Sequence, residues 1–290
     1  MMQEITEEKL KLIEGVATEI RIAVIKMLAK AGSGHPAGSL GMADVFASLY
    51  FHILNHDPKN PLWEDRDRLV LSNGHICPAQ YASLSLAGYF SAEELSSLRQ
   101  INSRLQGHPH RGSLPGIEAT SGPLGSGLSQ ATGIALAGKL DNKQWRVYCL
   151  LSDGEHNEGN HWEAVMFANK MKINNLVAIV DRNYIQIDGR TEDIMPLESL
   201  RDKYISFGWY VLEVDGHNSY EIIGAVNEAL VIYEKPTVII AHTIPGKGVS
   251  FMENNYLWHG KTPNEKEEKL ALEEISKKIK STKKENQTNA

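Results

Sequence analysis

Two polar segments carry the residue types that hold a diphosphate and a hard divalent cation. In the segment 152–164, Asp153 follows an apolar run and offers a carboxylate, and Gly154 lets the backbone approach a phosphate closely. Asn183, thirty residues further on, offers a side-chain carbonyl, and Ile185 offers a backbone carbonyl nearby. With two phosphate oxygens and a water, these groups would complete an octahedron around Mg²⁺. An Asp-Gly pair alone is also typical of a turn, so the metal interpretation depends on Asn183.

Five short β-branched runs would position these residues, and they alternate with helical stretches. The runs are apolar throughout rather than alternating, which is typical of strands covered on both faces. The predicted strands are 68–72, 146–152, 176–181, 210–215 and 237–243. The predicted helices lie near 126–140, 160–172, 197–207 and 219–233. This order predicts an α/β fold with a mostly parallel sheet flanked by helices.

The carboxyl ends of the predicted strands carry polar residues and glycines. One strand runs into Asp153 and Gly154, another into Asp181, and a third leads to His75. The last strand leads to Lys247 within PGKG. Because ligands of open α/β sheets bind outside the carboxyl ends of the strands, we expect these segments to share one site.

Helical patterns also precede and follow the sheet. Apolar positions recur at helical spacing through the first thirty residues, and SGHPAGSLG at 33–41 is predicted to end that helix before a second one at about 42–55. The charged C-terminal segment is predicted to be a helix to about Ile279 and then a solvated tail. We therefore expect one diphosphate-binding domain with an N-terminal helical arm over 1–265, and a charged helix and tail over 266–290.

The composition disfavours several classes of function. The 290 residues carry a formal net charge of −6, so nucleic acid is not expected as a partner. The N-terminus, MMQEITEEKL, lacks an apolar signal core, and there is no run of about 18 apolar residues, so neither secretion nor a membrane span is expected. Cys77 and Cys149 are expected to be buried, reduced thiols, which favours a cytoplasmic location.

The paired segments resemble the thiamine diphosphate signature, in which GDG is followed about thirty residues later by Asn. Ser152 stands in place of the first glycine and Arg182 stands within the usual NN or DN pair. Asp153, Asn183 and Ile185 occupy the matching ligand positions. The resemblance therefore implies thiamine diphosphate as cofactor, with Mg²⁺, or Ca²⁺ or Mn²⁺ in its place, held by these three residues.

Further segments narrow the resemblance to the transketolase family. SGHPAGSLGMADV and QGHPH are similar to segments whose histidines face the substrate, here His35 and His108, with His110 where an acidic residue is more usual. LSNGH is similar to the segment whose histidine contacts the diphosphate, here His75. WHGKTP resembles a segment whose histidine reaches cofactor and substrate, here His259. The resemblance implies that His35, His108 and His259 are catalytic.

The remaining matches extend the implied cofactor site, and together they cover roughly residues 10–263. SGPLGSG resembles the loop that wraps the cofactor near its aminopyrimidine. Lys247 stands where some family members place a lysine beside the diphosphate. The implied cofactor-binding residues are His75, Gly122, Pro123, Leu124, Asp153, Gly154, Glu155, Asn183, Ile185, Lys247 and His259.

The resemblance also implies a second polypeptide. In the family, a second, pyrimidine-binding domain holds the glutamate that activates the cofactor and the residues that grip the sugar phosphate, and this chain ends where that domain would begin. The chain is thus expected to be the N-terminal subunit of a split transketolase, which moves a two-carbon ketol unit from a ketose phosphate to an aldose phosphate, as in the pentose phosphate pathway. Glu158 and Glu163 match acidic residues near the subunit interface. We expect a C-terminal partner subunit, with self-association as a homodimer within a heterotetramer.

Alternatives remain for the function and for individual motifs. The assembled enzyme could act on an unusual sugar, such as a sulfonated or branched ketose, or the chain could be a non-catalytic cofactor-binding subunit. His156, His161 and His217 are expected to be structural, since their spacing gives no zinc motif. GKT in WHGKTP lacks the glycine of a phosphate loop, with Asn255 in its place, and Gln130 replaces the third glycine of the dinucleotide fingerprint.

Overall fold

Residues 5–288 are described by a computed structural model, in which a parallel sheet lies between two layers of helices. Side chains are described as far as Lys277. No helix in this part of the chain is long and apolar enough to cross a membrane. The predicted α/β fold with a mostly parallel sheet is confirmed.

The chain begins with a long amphipathic helix, as its apolar spacing predicts. Helix α1 (Glu7–Ala31) starts after Thr6, whose side chain accepts a hydrogen bond from the first turn. It ends at Gly32, whose φ of 64° lets its N–H close the last turn on the carbonyl of Leu28.

The segment 33–41 differs from the expectation that it only ends a helix. It contains helix α2 (Pro36–Gly41), which starts with proline because the first helical N–H needs no intrahelical partner. The glycines of α2 allow close packing, since a Cβ at Gly41 would lie 3.1 Å from the carbonyl oxygen of Ile244. The second predicted helix is split into α3 (Ala43–Ser48) and a π-helical turn over 49–53.

All five predicted strands are present, and they pair in parallel in the order β1-β2-β3-β7-β6. The last of these lies at an edge of the sheet and exposes Glu213 and Asp215, so the expectation of strands covered on both faces fails there. The bounds are β1 (Arg68–Leu71), β2 (Val147–Ser152), β3 (Leu176–Arg182), β6 (Tyr210–Asp215) and β7 (Thr237–His242), and a separate hairpin is formed by β4 (Ile185–Gln186) and β5 (Gly189–Arg190).

Alternate strand residues face opposite layers, which divides the core in two. Tyr148 and Leu150 of β2 pack with α1, α2 and α3, whereas Cys149 and Leu151 pack on the other side. The remaining helices are α4 (Cys77–Leu86), α5 (Ser126–Leu140), α6 (Gly159–Lys170), α7 (Thr191–Ile194), α8 (Leu200–Ser206) and α9 (Ser219–Leu230). Because the five strands of the main sheet all run the same way, the carboxyl ends of β1, β2, β3 and β7 meet at one edge of that sheet.

The C-terminal segment forms one helix, α10 (Glu265–Thr288), which continues past the helix end that the sequence predicts at about Ile279. The sequence over 265–288 contains neither glycine nor proline and is rich in Lys and Glu, which favour helix. Ala271 and Ile275 are buried in the same core as α1.

Candidate active site

A cavity of about 340 Å³ opens at the carboxyl ends of β2 and β3, where the sequence predicts the site. It contains the three histidines predicted to be catalytic, His75, and all three predicted metal ligands. The lining residues are His35, His75, His108, Gly122, Leu124, Ser152, Asp153, Gly154, Asn183, Ile185, Gln186, Ile187, Asp188 and His259.

Four histidines from four separate segments form one wall of this cavity. His35 directly precedes α2, His75 lies in a 3₁₀ turn after β1, and His259 follows a 3₁₀ turn over 256–258. The ring centroid of His35 lies 5.2 Å from that of His75, 5.6 Å from that of His259 and 6.5 Å from that of His108. The structure thus brings together the four histidines to which the resemblance assigns substrate and cofactor roles.

A glycine contact brings two of these segments together. A Cβ at Gly74 would lie 2.5 Å from Cβ of Ser121 and 3.2 Å from the backbone nitrogen of Gly122, so a side chain at this position would push the two loops apart. The same atom would lie 3.4 Å from the ring of His108. The glycine in LSNGH thus allows His75, which follows it, to lie against the loop over 121–124.

The histidine wall is uncharged at neutral pH. Burial, followed by the charges of His259, Arg99 and His108, lowers the pKa of His35 to about 4. Burial also lowers the pKa of His75 well below its usual value and lowers those of His108 and His259. Nδ1 of His35 is buried without a hydrogen-bond partner among the described side chains. Neutral imidazoles that each offer one donor and one acceptor suit a ligand rich in hydroxyl and phosphate oxygens.

Asp153 and Asn183, here called the carboxylate wall, line the same cavity and present oxygen donors of the kind that a hard cation binds. Oδ1 of Asp153 accepts the N–H of Gly154 at 2.7 Å, while Oδ2 accepts the N–H of Tyr184 at 2.8 Å and Nη1–H of Arg182 at 3.0 Å. An ionised carboxylate has about four acceptor sites, so Oδ1 keeps one of them. Burial raises the pKa of Asp153 to about 6, an effect that the charge of Arg182 opposes.

Asn183 is oriented by its own neighbours. Its Nδ2–H donates to Oδ2 of Asp181 at 2.7 Å, which assigns Oδ1 as the carbonyl oxygen, and this oxygen accepts the N–H of Ile185 at 3.0 Å and keeps a second acceptor site. A Cβ at Gly154 would lie 3.1 Å from Oε1 of Gln186 beside the cavity, so this glycine keeps the space open for a ligand. These residues fit a diphosphate held through Mg²⁺.

Glu155 lies behind the cavity rather than in its lining. Its fully buried carboxylate accepts the hydroxyl of Ser72, the N–H of Ser152 at 2.7 Å and the N–H of Gly125 at 3.2 Å. Burial raises the pKa of Glu155 to about 7, although these hydrogen bonds oppose the shift. The predicted cofactor ligand therefore joins the ends of β1 and β2 to the loop that precedes α5.

Lys247 is also placed away from the histidines. It lines a separate cavity of about 130 Å³ together with Arg21, Asp44 and His217. Nδ1–H of His217 donates to Oδ2 of Asp44 at 2.7 Å, and Nε2 accepts the N–H of Ile244 at 2.7 Å. His217 is thus structural, as expected from the sequence, and the structure does not bring Lys247 into the predicted diphosphate site.

The other two histidines expected to be structural form a buried chain through Tyr204. Nδ1 of His156 lies 2.9 Å from the carbonyl of Ser152 and 3.0 Å from that of Asp153, so it carries the proton. Nε2 of His156 then accepts the hydroxyl of Tyr204 at 2.9 Å, and that hydroxyl accepts Nε2–H of His161 at 2.9 Å. Both rings are absent from the lining of the histidine cavity.

Some lining residues are not predicted from the sequence. Gln186, Ile187 and Asp188 follow Ile185 in the hairpin β4–β5, and the side chain of Ile187 is 66% exposed although it is apolar. The segment IQIDG is predicted to contribute only Ile185, whereas the short hairpin also places the three residues that follow it in the lining. Pro123 lies between the lining residues Gly122 and Leu124. Glu158 and Glu163 are exposed at the start of α6.

Comparison with known proteins shows what this chain is similar to. The family profile described as the transketolase thiamine diphosphate binding domain matches residues 13–280. The 6-deoxy-6-sulfo-D-fructose transketolase subunit of Clostridium sp. (strain MSTE9) is 44% identical over 261 residues, which are 90% of this chain and 95% of that protein. An apulose-4-phosphate transketolase subunit of Phocaeicola vulgatus is 41% identical, over 92% of this chain and 94% of that protein.

Full-length transketolases match over less than half of their own length. Transketolase of Homo sapiens is 39% identical over 96% of this chain but only 44% of the human protein. The crystal structure of transketolase from Campylobacter jejuni superposes with a TM-score of 0.87 at 36% identity, over 94% of this chain and 43% of that one. The chain therefore belongs to the transketolase family and carries its thiamine diphosphate-binding domain.

Proposed function

We propose that this chain is the N-terminal subunit of a two-subunit, thiamine diphosphate- and Mg²⁺-dependent transketolase. The observation that supports this best is the cavity itself, which is lined both by four neutral histidines and by Asp153 and Asn183. The assembled enzyme transfers a two-carbon ketol unit from a ketose phosphate to an aldose phosphate. A cytoplasmic location is part of the proposal. An intact oxygen-donor set argues against a subunit that has lost cofactor binding.

In the proposed site, each wall has its own task. Asp153, Asn183 and the carbonyl of Ile185 hold the metal, and Gly154 and His75 hold the diphosphate. Gly122, Pro123 and Leu124 form the loop beside the aminopyrimidine. When bound, thiamine diphosphate supplies the stabilised carbanion chemistry by which a carbon–carbon bond of the ketose is broken and formed.

The histidine wall orients the sugar and moves protons. His35, His108 and His259 face the donor hydroxyls, where a neutral imidazole accepts a proton from an oxygen and returns it as the bond forms again. His259, which lies 5.2 Å from His75 between ring centroids, also contacts the diphosphate. The low pKa of His35 keeps this ring able to accept a proton at neutral pH.

The pyrimidine end of the cofactor is assigned to a partner subunit. The support is that two relatives are named as subunits and are covered over 94–95% of their length. We further propose self-association as a homodimer within a heterotetramer. Helix α6 and the residue that follows it offer a surface for such contacts, because Met166, Phe167 and Met171 are 51, 47 and 37% exposed.

A sulfonated or branched ketose is the second candidate substrate. The observation in its favour is that relatives at 44% and 41% identity are named for 6-deoxy-6-sulfo-D-fructose and for apulose-4-phosphate. Donor competition measured with the assembled enzyme separates these sugars from ordinary ketose phosphates.

The test of the proposed function is ketol transfer by the purified chain with Mg²⁺ and thiamine diphosphate, alone and with candidate pyrimidine-domain subunits. We expect no turnover from the chain alone and full turnover from the mixture, because one domain holds the diphosphate and the other activates the ring. Robust turnover by the single chain would contradict the two-subunit proposal.

A further inference from the structure

Arg182 is a fully buried cation that lies outside the cavity and contacts one of its proposed metal ligands. It is the last residue of β3 and is 1% exposed. Nη1–H donates to Oδ2 of Asp153 at 3.0 Å and to the hydroxyl of Thr191 at 3.0 Å. Nη2–H donates to Glu192 at 2.5 Å and to Glu198 at 2.6 Å. One guanidinium thus joins the proposed metal carboxylate to both ends of the segment 191–198.

That segment, here called the anchored loop (residues 191–198), is folded around its own carboxylate. Glu192 accepts the N–H of Leu197 at 3.1 Å as well as the guanidinium. Ile194 and Met195, at the outer turn of the loop, are 44 and 56% exposed. The anchored loop therefore has little apolar burial at its outer turn, and Arg182 ties both of its ends to the end of β3.

Arg182 also supports the backbone that carries the other proposed ligands. Its guanidinium lies 4.0 Å from the ring centroid of Tyr184. Tyr184 has a left-handed φ of 63°, and its N–H donates to the same Oδ2 of Asp153. Its hydroxyl donates to Nδ1 of His242 at 2.9 Å, and Nε2–H of that ring donates to Glu213 at 2.9 Å. The turn from Arg182 to Ile185 is thus held from outside the cavity.

We propose that Arg182 is a positioning residue that fixes Asp153 and the turn 183–185 for the metal and makes the affinity of the site depend on the anchored loop. This inference rests on the proposed function, because it takes Asp153 as a metal ligand. Arg182 occupies only Oδ2 and leaves an acceptor site on Oδ1. Arg182, which departs from the cofactor signature, thus holds two parts of that signature, Asp153 and the turn 183–185, from outside the cavity.

A purely electrostatic role for Arg182 predicts the opposite sign. A cation beside Asp153 repels a divalent metal, so its removal would strengthen metal binding if charge alone mattered. Positioning predicts weaker binding, because the carboxylate and the turn lose their common support. The direction of the change therefore separates the two roles.

The experiment measures Mn²⁺-dependent binding of thiamine diphosphate to the full chain by calorimetry, and amide hydrogen exchange of the anchored loop without ligand. The variants are R182M, R182K and E198Q. The surface pair Arg104–Glu94, with N–O distances of 2.7–2.8 Å, offers R104M as the matched control.

For R182M we expect a 10–100-fold rise in Kd, the range for loss of an outer-shell partner, together with faster exchange of the anchored loop. R182K should give an intermediate rise in Kd, because lysine keeps the positive charge but lacks the several N–H donors of the planar guanidinium. E198Q should speed amide exchange in the anchored loop and weaken binding of thiamine diphosphate less than R182M does. R104M should change neither the exchange nor the affinity.

Unchanged or tighter binding by R182M with an intact fold would overturn the inference. If R182M does not fold, R182K carries the same test, and wild-type affinity in R182K with a protected loop would overturn it. Absence of metal-dependent binding by the wild-type chain would overturn the proposed function, and this inference with it. If the wild-type chain binds thiamine diphosphate with metal and both R182M and R182K bind it equally well, the inference about Arg182 is overturned but the proposed function is not.

Discussion

The two walls of the cavity differ in how far the protein satisfies its own polar groups. On the histidine wall, Nδ1 of His35 is buried with no described partner. On the carboxylate wall, Asp153 already accepts three hydrogen bonds, and both atoms of the Asn183 amide are engaged. The carboxylate wall is therefore preformed, whereas the histidine wall is completed by whatever binds. Preorganised ligands suit a cofactor that stays, and unsatisfied imidazoles suit a substrate that turns over.

Histidines elsewhere in the chain show that burial alone does not make this difference. His156 and the cavity residue His35 both have pKa values lowered to about 4, chiefly by burial. Yet both ring nitrogens of His156 have partners within the protein. The pKa shift is common to structural and cavity histidines, and so is an unpaired ring nitrogen, since Nδ1 of the structural His161 is also buried without a described partner. What distinguishes His35 is that it lines the cavity, where a ligand can reach it.

The largest effect should come from the carboxylate wall. Asp153→Ala removes the one charged proposed metal ligand and leaves the buried Arg182 without it. We expect loss of affinity for thiamine diphosphate with Mg²⁺ beyond the roughly 10–100-fold cost of an outer-shell change. Calorimetry measures this, and Asp141→Asn, at the exposed end of α5, is the control. Undiminished affinity in Asp153→Ala would show that the metal lies elsewhere.

The histidine wall should instead affect turnover. We expect His35→Ala to lower kcat of the assembled enzyme by about 10²–10⁴-fold, the usual range for a general acid or base, with little change in cofactor affinity. His259→Ala should lower both, since this ring is proposed to contact diphosphate and substrate. His52, on the π-helical turn outside the cavity, provides the control variant His52→Ala.

Steady-state kinetics with several donor sugars, paired with cofactor titration, separate these effects. Wild-type turnover in His35→Ala with every donor would remove this residue from the proposed mechanism. Equal losses of cofactor affinity in His35→Ala and His259→Ala would mean that the two walls do not have separate tasks.

Features set by local pattern could be predicted from the sequence. Each strand is an apolar run that ends in polar residues, and parallel pairing brings those ends together, so the meeting of Asp153 with Asn183 followed from strand order and spacing. The helix over 126–140 matched because its bounds lie at a glycine-rich turn and at Asp141. The convergence of the four histidines came from resemblance, since nothing local relates the segments that carry them.

Side-chain directions set by distant contacts could not be predicted. Glu155 turns inward because its donors come from Ser72 and Gly125, which are far from it in sequence. Lys247 faces another cavity, and the PGKG turn that carries it is held by a distant residue, since the N–H of Gly246 donates to the carbonyl of Ala37 at 2.9 Å. Arg182 was visible only as a departure from a signature, since its partners in the anchored loop follow it by about ten residues or more.

A smaller effect is expected for the structural histidine His156, whose contribution to the free energy of unfolding should depend on pH. The folded pKa of His156 is about 4, below the usual value of 6.5, so between these values only the unfolded chain binds the proton. This histidine's contribution to the free energy of unfolding is thus present above about pH 6.5 and falls as the pH decreases, by up to about 1.4 kcal/mol per pH unit. His156→Gln should therefore cost more stability at about pH 7.5 than at about pH 5.

Urea unfolding of both proteins at the two pH values measures this difference. The comparison with wild type is needed because burial raises the pKa values of Asp153, Glu155 and Asp181, and these groups act in the opposite direction over the same range. A cost of His156→Gln that does not change with pH would contradict a neutral, buried His156.

The smallest effect concerns the hydroxyl that joins the structural pair. Tyr204→Phe leaves Nε2 of both His156 and His161 without a described partner, while the ring still fills its buried position. We expect a loss of about 1–2 kcal/mol in the free energy of unfolding, at the low end for unsatisfied buried groups because water or small shifts compensate in part. Turnover of the assembled enzyme should stay within about twofold, because Nδ1–H of His156 still holds the carbonyls of Ser152 and Asp153. Tyr233→Phe, at a side chain that is 73% exposed, is the control. Unchanged stability together with a large loss of turnover in Tyr204→Phe would place this chain of hydroxyl and imidazoles in the reaction, and the division between structural and cavity histidines would then be wrong.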